Sequence, residues 1–448
     1  MSESLPVIES TAASIMAADS KEAPRGRRRA WRRRAAFVWK LFLGMLACGS
    51  CLGSVFVVGW SYRLAQRRAL KRWWQLARGI APGTSFEEFM SGDESTSAHA
   101  RWPNWILAPA SQARWRRGGG ERIHHSVWRC VKTSTASLRA NFWTGLQGAF
   151  NTWVLTLPPC VLMGFAWYDG WHNSFNKGYE QSFVGPVVSF VGIFLLIGAM
   201  YYVPLAQARQ AVTGNWKAFY HFRLVGEVIR RRWLSSLGLA ALYATLCVPV
   251  TIMKVVPMFW GSNQAGLEAL TEKELVVKLN HYFFWCALYV FPAFALLRGV
   301  AARIYASAVV EGLRDGWICH ESLGSFEARA LERLNLVYPR PRPDRHPVLK
   351  IVTWAGTRLG RGVSYTLLFF VWFAFVAQTY IGEFLKFNSF PVWVVHPLVQ
   401  LPWFRQIPSR MENPLFQVLP VLVVAAVAGF LGSLHRKWTR RGEPQPAT

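Results

Sequence analysis

Seven long apolar segments interrupt this chain, and each is close to the length that a helix needs to cross a lipid bilayer. They lie at residues 35–60, 146–168, 183–203, 234–260, 282–297, 362–382 and 415–434. A hydrocarbon core about 30 Å thick requires about 20 apolar residues in a helix. The pattern predicts an all-α integral membrane protein. We expect a polytopic helix bundle with six transmembrane helices plus an N-terminal membrane segment whose topology is open.

Composition supports a lipid environment. Apolar residues make up 52% of the chain, charged residues only 17%, and there are 23 Trp and 30 Phe, as expected where aromatic rings lie at lipid interfaces. The net charge of +27 would favour a nucleic-acid binder if it lay on a folded polar domain. The basic residues instead cluster beside the apolar segments, so the expected partner is a bilayer with anionic headgroups and not nucleic acid.

The polar residues between the segments divide the chain into blocks. We expect a disordered basic N-terminus at 1–34, the first membrane segment at 35–60, a basic Trp-rich cytoplasmic region at 61–140, transmembrane helices two to five within 141–305 with an amphipathic surface segment at 204–233, a basic cytoplasmic loop at 306–361, helices six and seven within 362–434, and a basic cytoplasmic tail at 435–448.

The distribution of Lys and Arg predicts the orientation of the bundle. The loops at 169–182, 261–280 and 383–414 carry one, two and three basic residues, whereas the alternate loops at 204–233, 298–361 and 435–448 carry six, eleven and four. Basic loops stay on the cytoplasmic side of a membrane. We therefore expect a multi-pass protein of the bacterial inner membrane with a cytoplasmic C-terminus.

The first segment does not fit this rule, because it is strongly basic on both sides. Its centre, 44–53, is rich in Gly, Cys and Ser. Such a sequence would allow a shallow re-entrant hairpin that returns to the cytoplasm. A single crossing and a hairpin are both open interpretations.

The stretch 201–233 joins two apolar segments and alternates apolar with basic residues. Its apolar residues recur at steps of three, four or seven, at Leu205, Val212, Trp216, Phe219, Phe222, Val225 and Ile229. This spacing predicts an amphipathic helix at the membrane surface. The cations expected to contact anionic headgroups are Arg209, Lys217, Arg223, Arg230, Arg231 and Arg232.

Lys254 is the ionisable residue that the apolar segments explain least well. Its charge at the bilayer centre would cost on the order of 3 kcal/mol. One interpretation is that its side chain extends to the nearby interface. The other is that kinked helices place Lys254 in an internal cavity with Asn151 and Gln378, with Glu383 as its counter-ion.

Signals for enzyme chemistry are weak. His124 and His125 with Cys130, and Cys319 and His320 with Glu321, match no zinc-binding spacing. Seven cysteines, mostly in apolar segments, imply no disulfide framework. We therefore predict no catalytic, cofactor-binding or metal-binding residue and no cofactor.

Three functional hypotheses remain. The leading one is a non-enzymatic accessory or membrane-organising component, with 61–140 and 306–361 long enough to dock a membrane or cytoplasmic protein partner. The alternatives are a small-solute or ion permease with a site around Lys254 and a membrane-embedded enzyme.

Overall fold

The computed structural model describes residues 31, 34–78, 85–91, 136–165, 184–259, 270–337 and 347–384. The regular elements of these residues are helices, and no strand occurs among them. The expectations for the N-terminus, for most of the Trp-rich region, for the seventh segment and for the C-terminal tail lie outside the described residues.

The described helices follow one another in a simple order. They are α1 (34–47), α2 (Cys51–Ala77), α3 (Phe86–Ser91), α4 (Ala136–Phe165), α5 (Val184–Thr213), α6 (Phe222–Arg231), α7 (Trp233–Val255), α8 (Glu272–Arg314), α9 (Ser325–Arg333) and α10 (Pro347–Phe384). Short 3₁₀ helices at Trp216–Tyr220, Val256–Phe259 and His320–Ser322 precede α6, extend α7 and precede α9.

Three of these helices are long and apolar enough to cross a membrane. The spans are Gly185–Thr213 in α5, Trp233–Val250 in α7 and Lys273–Arg314 in α8. They coincide with the third, fourth and fifth predicted segments, so the expectation of a helical membrane protein is supported at this level. The total of six crossings stays a prediction. Helix α8 has 43 residues and is about 65 Å long, roughly twice the thickness of the hydrocarbon core.

The first predicted segment is a helical hairpin. The chain turns at 48–50, where the Ser50 hydroxyl accepts the Gly53 N–H at 3.0 Å and caps α2. Phe37 and Leu41 of α1 pack against the core that contains Trp60 of α2. Helix α1 therefore folds back along α2, which is the geometry of the hairpin interpretation, although α2 continues well beyond residue 60.

Helices α2 and α4 cross at two glycines. A Cβ on Gly59 would overlap the carbonyl of Asn141, and one on Gly145 would overlap the carbonyl of Val55. Backbones can approach this closely only where no side chain intervenes. The crossing therefore depends on glycine at both positions.

The main core lies at the end of the bundle where α5 ends and α7 begins, which we call the basic end. Buried alanines from α2, α5 and α8 meet there: Ala65, Ala69, Ala206, Ala208, Ala211, Ala301, Ala302, Ala306 and Ala308. Small side chains let the three helices approach closely. The Trp73 indole N–H reaches through this layer and donates to the carbonyl of Ala306 at 2.9 Å.

A tyrosine hydroxyl satisfies a carbonyl near the opposite end of α7. In a regular helix the carbonyl of Met253 would accept the N–H of residue 257, but Pro257 has none. The Tyr282 hydroxyl of α8 donates to the Met253 carbonyl at 3.0 Å instead. This contact joins α7 to α8 at the point where α7 becomes a 3₁₀ helix.

Candidate functional site

The stretch 201–233 is divided by a turn and is not one surface helix. Residues 201–213 complete α5 and lie mostly buried, because α2 and α8 pack against them. Gly214 adopts a φ of 68°, a left-handed conformation that residues with a Cβ rarely adopt, and ends α5. The prediction of a surface helix was therefore wrong for 204–213.

Helix α6 is the part of this stretch that is amphipathic and lies at the surface. Val225 and Val228 are fully buried on one face. Arg223 and Arg230 are exposed on the other face, while Phe222, at the first position of the helix, is 54% exposed and stacks its ring on Tyr202 with centroids 4.9 Å apart. The buried valines hold α6 against the end of the bundle, while the opposite face stays open.

The six cations predicted at the lipid surface have three different environments. Four are exposed: Lys217, Arg223, Arg230 and Arg231. Arg232 is half-buried and forms an ion pair with Glu311 of α8. Arg209 is completely buried, so its assignment to the lipid surface is corrected.

Arg209 is the centre of a buried polar network. Its Nη1 donates to the Tyr305 hydroxyl at 2.7 Å, and its Nη2 donates to the Ser322 carbonyl at 2.9 Å. Its Nη2 also lies 2.8 Å from His221 Nδ1. Because a guanidinium only donates, Nδ1 accepts, which assigns the proton of the neutral imidazole to Nε2. Burial and the Arg209 charge lower the pKa of His221, in agreement with a neutral ring.

Glu327 completes this network from α9. Its Oε1 accepts the Tyr305 hydroxyl at 2.7 Å and its Oε2 accepts the Gly324 N–H at 3.0 Å. Its Oε2 also lies 3.8 Å from Arg209 Nη1, and both side chains are fully buried. Burial raises the pKa of Glu327, while the charge of Arg209 and the two hydrogen bonds oppose the rise.

This network has a structural role, because its contacts join several helices. Most of its polar atoms are used in protein contacts, although Arg209 Nε has no hydrogen-bond partner among the described residues. Through these contacts α5, α8, α9 and the residue before α6 are held together. The network therefore fixes α6 at the basic end.

Helix α4 turns a stripe of polar and small residues toward the interior. The buried residues recur at steps of three or four, at Ser137, Asn141, Gly145, Gly148, Thr152, Thr156 and Pro159. This spacing places them on one helix face. The apolar Val154 and Val161 are exposed on the other side. The stripe is visible in the sequence, and its periodicity could have identified the inward face.

The stripe is hydrogen-bonded to the end of α5. The Gln207 amide donates to Thr152 Oγ1 at 2.8 Å. The Asn151 amide donates to Gln210 Oε1 at 3.2 Å and to the Trp216 carbonyl at 2.9 Å, and it accepts the Tyr220 hydroxyl at 3.2 Å. Asn151 is thus a structural partner of the turn that precedes α6.

The described contacts do not bring the four residues of the predicted cavity together. Asn151 lies at the basic end. Lys254 lies near the end of α7, about 32 Å along that helix from Trp233. Gln378 and Glu383 belong to α10, and their side chains, like that of Lys254, are outside the described residues. The cavity stays a prediction.

Two other buried arginines form no ion pair with a described residue. Arg63 is 4% exposed, and its Nη1 donates to Ser137 Oγ and Asn141 Oδ1, each at 2.8 Å. Arg298 is 7% exposed, and its guanidinium carbon lies 4.4 Å from the Tyr62 ring centroid and 4.3 Å from that of Phe294. Each such cation–π contact contributes about 2 kcal/mol when desolvated.

In the described part of the chain, no group of three His, Cys, Asp or Glu side chains could hold a metal ion. His320 Nε2 lies 3.0 Å from Glu332 Oε1, without the geometry of a hydrogen bond. His124, His125 and Cys130 lie outside the described residues.

The fold and the network define a class: an all-helical protein with helices able to cross a membrane and a joint of buried charges at its basic end. Comparison with protein-family models, with curated proteins and with solved structures finds no match.

Proposed function

We propose that this protein is a non-enzymatic component of the bacterial inner membrane that binds anionic lipid headgroups through α6. In this proposal six helices cross the bilayer, with the N-terminal hairpin as an additional membrane segment. The basic end and the C-terminus face the cytoplasm. The observation that carries the proposal is the set of exposed side chains on α6, one aromatic ring and three arginines, beside two helices that could span a membrane.

The position of α6 in the fold supports an interfacial role. It follows α5 and precedes α7 directly, and a helix between two spans at the same end of a bundle lies near the headgroups. Val225 and Val228 are used for packing, whereas Phe222 stacks on Tyr202 and still exposes about half of its surface to the boundary between headgroups and acyl chains.

The charge of α6 also supports binding to anionic lipid. Its three arginines are accompanied by one carboxylate, Glu227, whose Oε1 lies 2.8 Å from Arg230 Nη2 and whose Oε2 lies 3.7 Å from Arg231 Nε. A basic side chain near an anionic leaflet contributes about 1 kcal/mol. With Lys217, the three arginines and Glu227 carry a net charge of +3, which would favour anionic over zwitterionic lipid by about 3 kcal/mol at moderate salt.

The test is lipid selectivity in proteoliposomes. Electron spin resonance of spin-labelled phosphatidylglycerol and phosphatidylcholine measures the fraction of each lipid held at the protein surface. We expect the wild type to immobilise more phosphatidylglycerol, and the variant R223Q/R231Q, with K217Q added, to lose most of this preference.

Two basic residues far from α6 provide the control. K273Q/K278Q changes exposed cations at the start of α8 and should keep the preference. Equal immobilisation of the two lipids by the wild type, or an equal loss in both variants, would contradict the proposal.

A second candidate function is a small-solute or ion permease with a site at the kinked helices around Lys254. The inward polar stripe of α4 favours it, because a path through a membrane needs polar groups inside the bundle. Stopped-flow light scattering of proteoliposomes in glycerol, urea or glycine tests it. We expect K254A to slow swelling, and swelling at the rate of protein-free liposomes would exclude these solutes.

A further inference from the structure

Helices α2 and α8 run side by side in the same direction and carry arginines along one shared seam. Trp60 packs on Phe291 with ring centroids 5.7 Å apart, and further along both helices Trp73 donates to the carbonyl of Ala306. The arginines of this seam are Arg68 and Arg72 of α2 and Arg303 of α8. Two parallel helices therefore bring three cations to one level of the bundle.

Contacts with α8 define the positions of these cations. A Cβ on Gly299 would lie 2.5 Å from Arg68 Nη1, so the Arg68 guanidinium rests on the bare backbone of α8. Arg303 follows Gly299 by one turn on the same face, and helical side chains lean toward the N-terminus, which directs Arg303 toward Arg68. One turn further along, Ser307 Oγ accepts the N–H of Arg72 Nε at 2.9 Å. The three guanidinium groups line about two turns of the seam, roughly 11 Å.

No described carboxylate neutralises this seam. Arg68 and Arg303 form neither an ion pair nor a hydrogen bond with a described residue. The next acidic residue along α8, Glu311, pairs with Arg232. Arg68 is half-buried, and burial, followed by the charge of Arg303, lowers its pKa. Both arginines still stay protonated at neutral pH, so an anion beside them would remove the repulsion between two like charges.

The seam lies just beyond the apolar segments that precede it in the two helices. These segments, 35–60 and 282–297, end before Arg68 and Arg303. At a rise of 1.5 Å per residue, the two Cα atoms lie about 12 Å and about 9 Å past those ends. The headgroup layer on each side of the hydrocarbon is about 6 Å thick, and a long arginine side chain extends to it from this distance. The guanidinium groups are therefore within reach of the lipid phosphates.

A phosphate group matches the seam in charge and in geometry. Each guanidinium offers parallel N–H donors that fit two phosphate oxygens, and such charge-assisted hydrogen bonds are strong. We propose that the seam between α2 and α8 binds the phosphate group of one anionic phospholipid, held by Arg68 and Arg303 with Arg72 beside them. This inference rests on the position of the bilayer in the proposed function, but it does not involve α6.

Native mass spectrometry of the purified full-length protein tests the proposal, because it counts the lipids that survive removal of the detergent micelle. With phosphatidylglycerol added, we expect the wild type to retain one molecule under collisional activation and R68Q/R303Q to lose most of it. R314Q/R329Q removes two exposed cations away from the seam and should retain the lipid as the wild type does.

Two further variants cover the case in which R68Q/R303Q does not fold. R303Q changes only an exposed side chain. Gly299→Ala changes no charge, and its methyl group would displace the flexible end of Arg68 from α8. Lipid that binds the folded state raises the midpoint of thermal unfolding in a saturable manner. Phosphatidylglycerol should raise the midpoint of the wild type by several degrees and that of each variant by less, whereas inorganic phosphate at equal ionic strength should raise none.

Three results would overturn the proposal. The first is a wild type that retains no phosphatidylglycerol under activation. The second is equal retention by the wild type, R68Q/R303Q and Gly299→Ala, because the lipid would then bind elsewhere. The third is a rise of the midpoint with inorganic phosphate as large as that with lipid, which would assign the seam to a soluble anion. None of these results bears on the lipid preference of α6, which is tested on other basic residues.

Discussion

The guanidinium of Arg209 and the carboxylate of Glu327 lie 3.8 Å apart, and neither side chain has any exposed surface. One belongs to the end of α5 and the other to α9, so a distant part of the chain supplies the counter-charge. Tyr305 lies between them and hydrogen-bonds to both. The position of α9 on the bundle therefore depends on a charge pair that has lost its hydration.

Replacing Arg209 by Met should lower the free energy of unfolding by about 3–5 kcal/mol, because Glu327 would remain buried without a cation. Titration with a denaturing detergent, followed by tryptophan fluorescence, measures this loss. R230M is the matched control, since the exposed Arg230–Glu227 pair contributes less than about 1 kcal/mol. Equal losses in the two variants would show that the buried pair is unimportant.

The stability difference between the wild type and E327Q should depend on pH. Burial raises the pKa of Glu327 above its ordinary 4.5. At a pH between 4.5 and the raised pKa, the folded state therefore binds the proton more often than the unfolded state. The stabilising contribution is complete below pH 4.5 and is lost as pH rises through the folded pKa. The advantage of the wild type over E327Q should therefore shrink as pH rises above 4.5.

His221 must be separated from this effect. Its pKa is lowered from 6.5, so its own contribution increases with pH up to that value, in the opposite direction. It is present in both proteins, and its contribution cancels in the difference if Glu327 does not alter it. Unfolding free energies measured across the acid range provide the comparison, and a constant difference would mean that Glu327 titrates normally.

Gly59→Ala and Gly145→Ala should each destabilise the protein by about 1–3 kcal/mol or more, because an added methyl group would overlap the backbone of the crossing helix. Thermal unfolding in detergent micelles measures the effect. Gly238→Ala is the control, since nothing lies within 4 Å of a Cβ at that position in α7. If both alanine variants unfold at the same temperature as the wild type, α2 and α4 must lie further apart than described above.

Asn151→Leu should lower the free energy of unfolding by about 1–3 kcal/mol, because Gln210, Trp216 and Tyr220 would lose a buried hydrogen-bond partner. The same unfolding assay measures this change. Thr245→Val on the exposed face of α7, where the hydroxyl bonds only to its own helix, should be nearly neutral. If both variants behave alike, the amide of Asn151 does not hold the turn before α6.

The apolar runs predicted α5, α7 and α8 because 20 successive apolar residues leave few alternatives to a helix in lipid. The ends of the helices were less predictable. Helix α8 was expected to end near residue 297 but continues to Arg314, because its alanine-rich second half packs against α2. Packing partners so far apart in the sequence leave no local signal.

Arg209 was misplaced for a related reason. Alternating polar and apolar residues indicate a half-exposed helix only when one side faces solvent. Here α2 and α4 cover one side, and α8 and α9 cover another, so Gln207, Arg209 and Gln210 are all buried. The local sequence of α9 does contain a usable signal, since Glu327 follows Gly324 at the spacing by which a glutamate caps a helix.

Helix α8 carries contacts at both of its ends. Tyr282 holds the carbonyl of Met253 near one end, and Tyr305, about 35 Å further along, holds Arg209 near the other. A rotation of this helix about its axis would break both contacts together, so they fix the rotational position of α8 in the bundle. Pro292 lies between the two tyrosines and removes one backbone hydrogen bond of α8. A bend of this helix would therefore cost least free energy at Pro292.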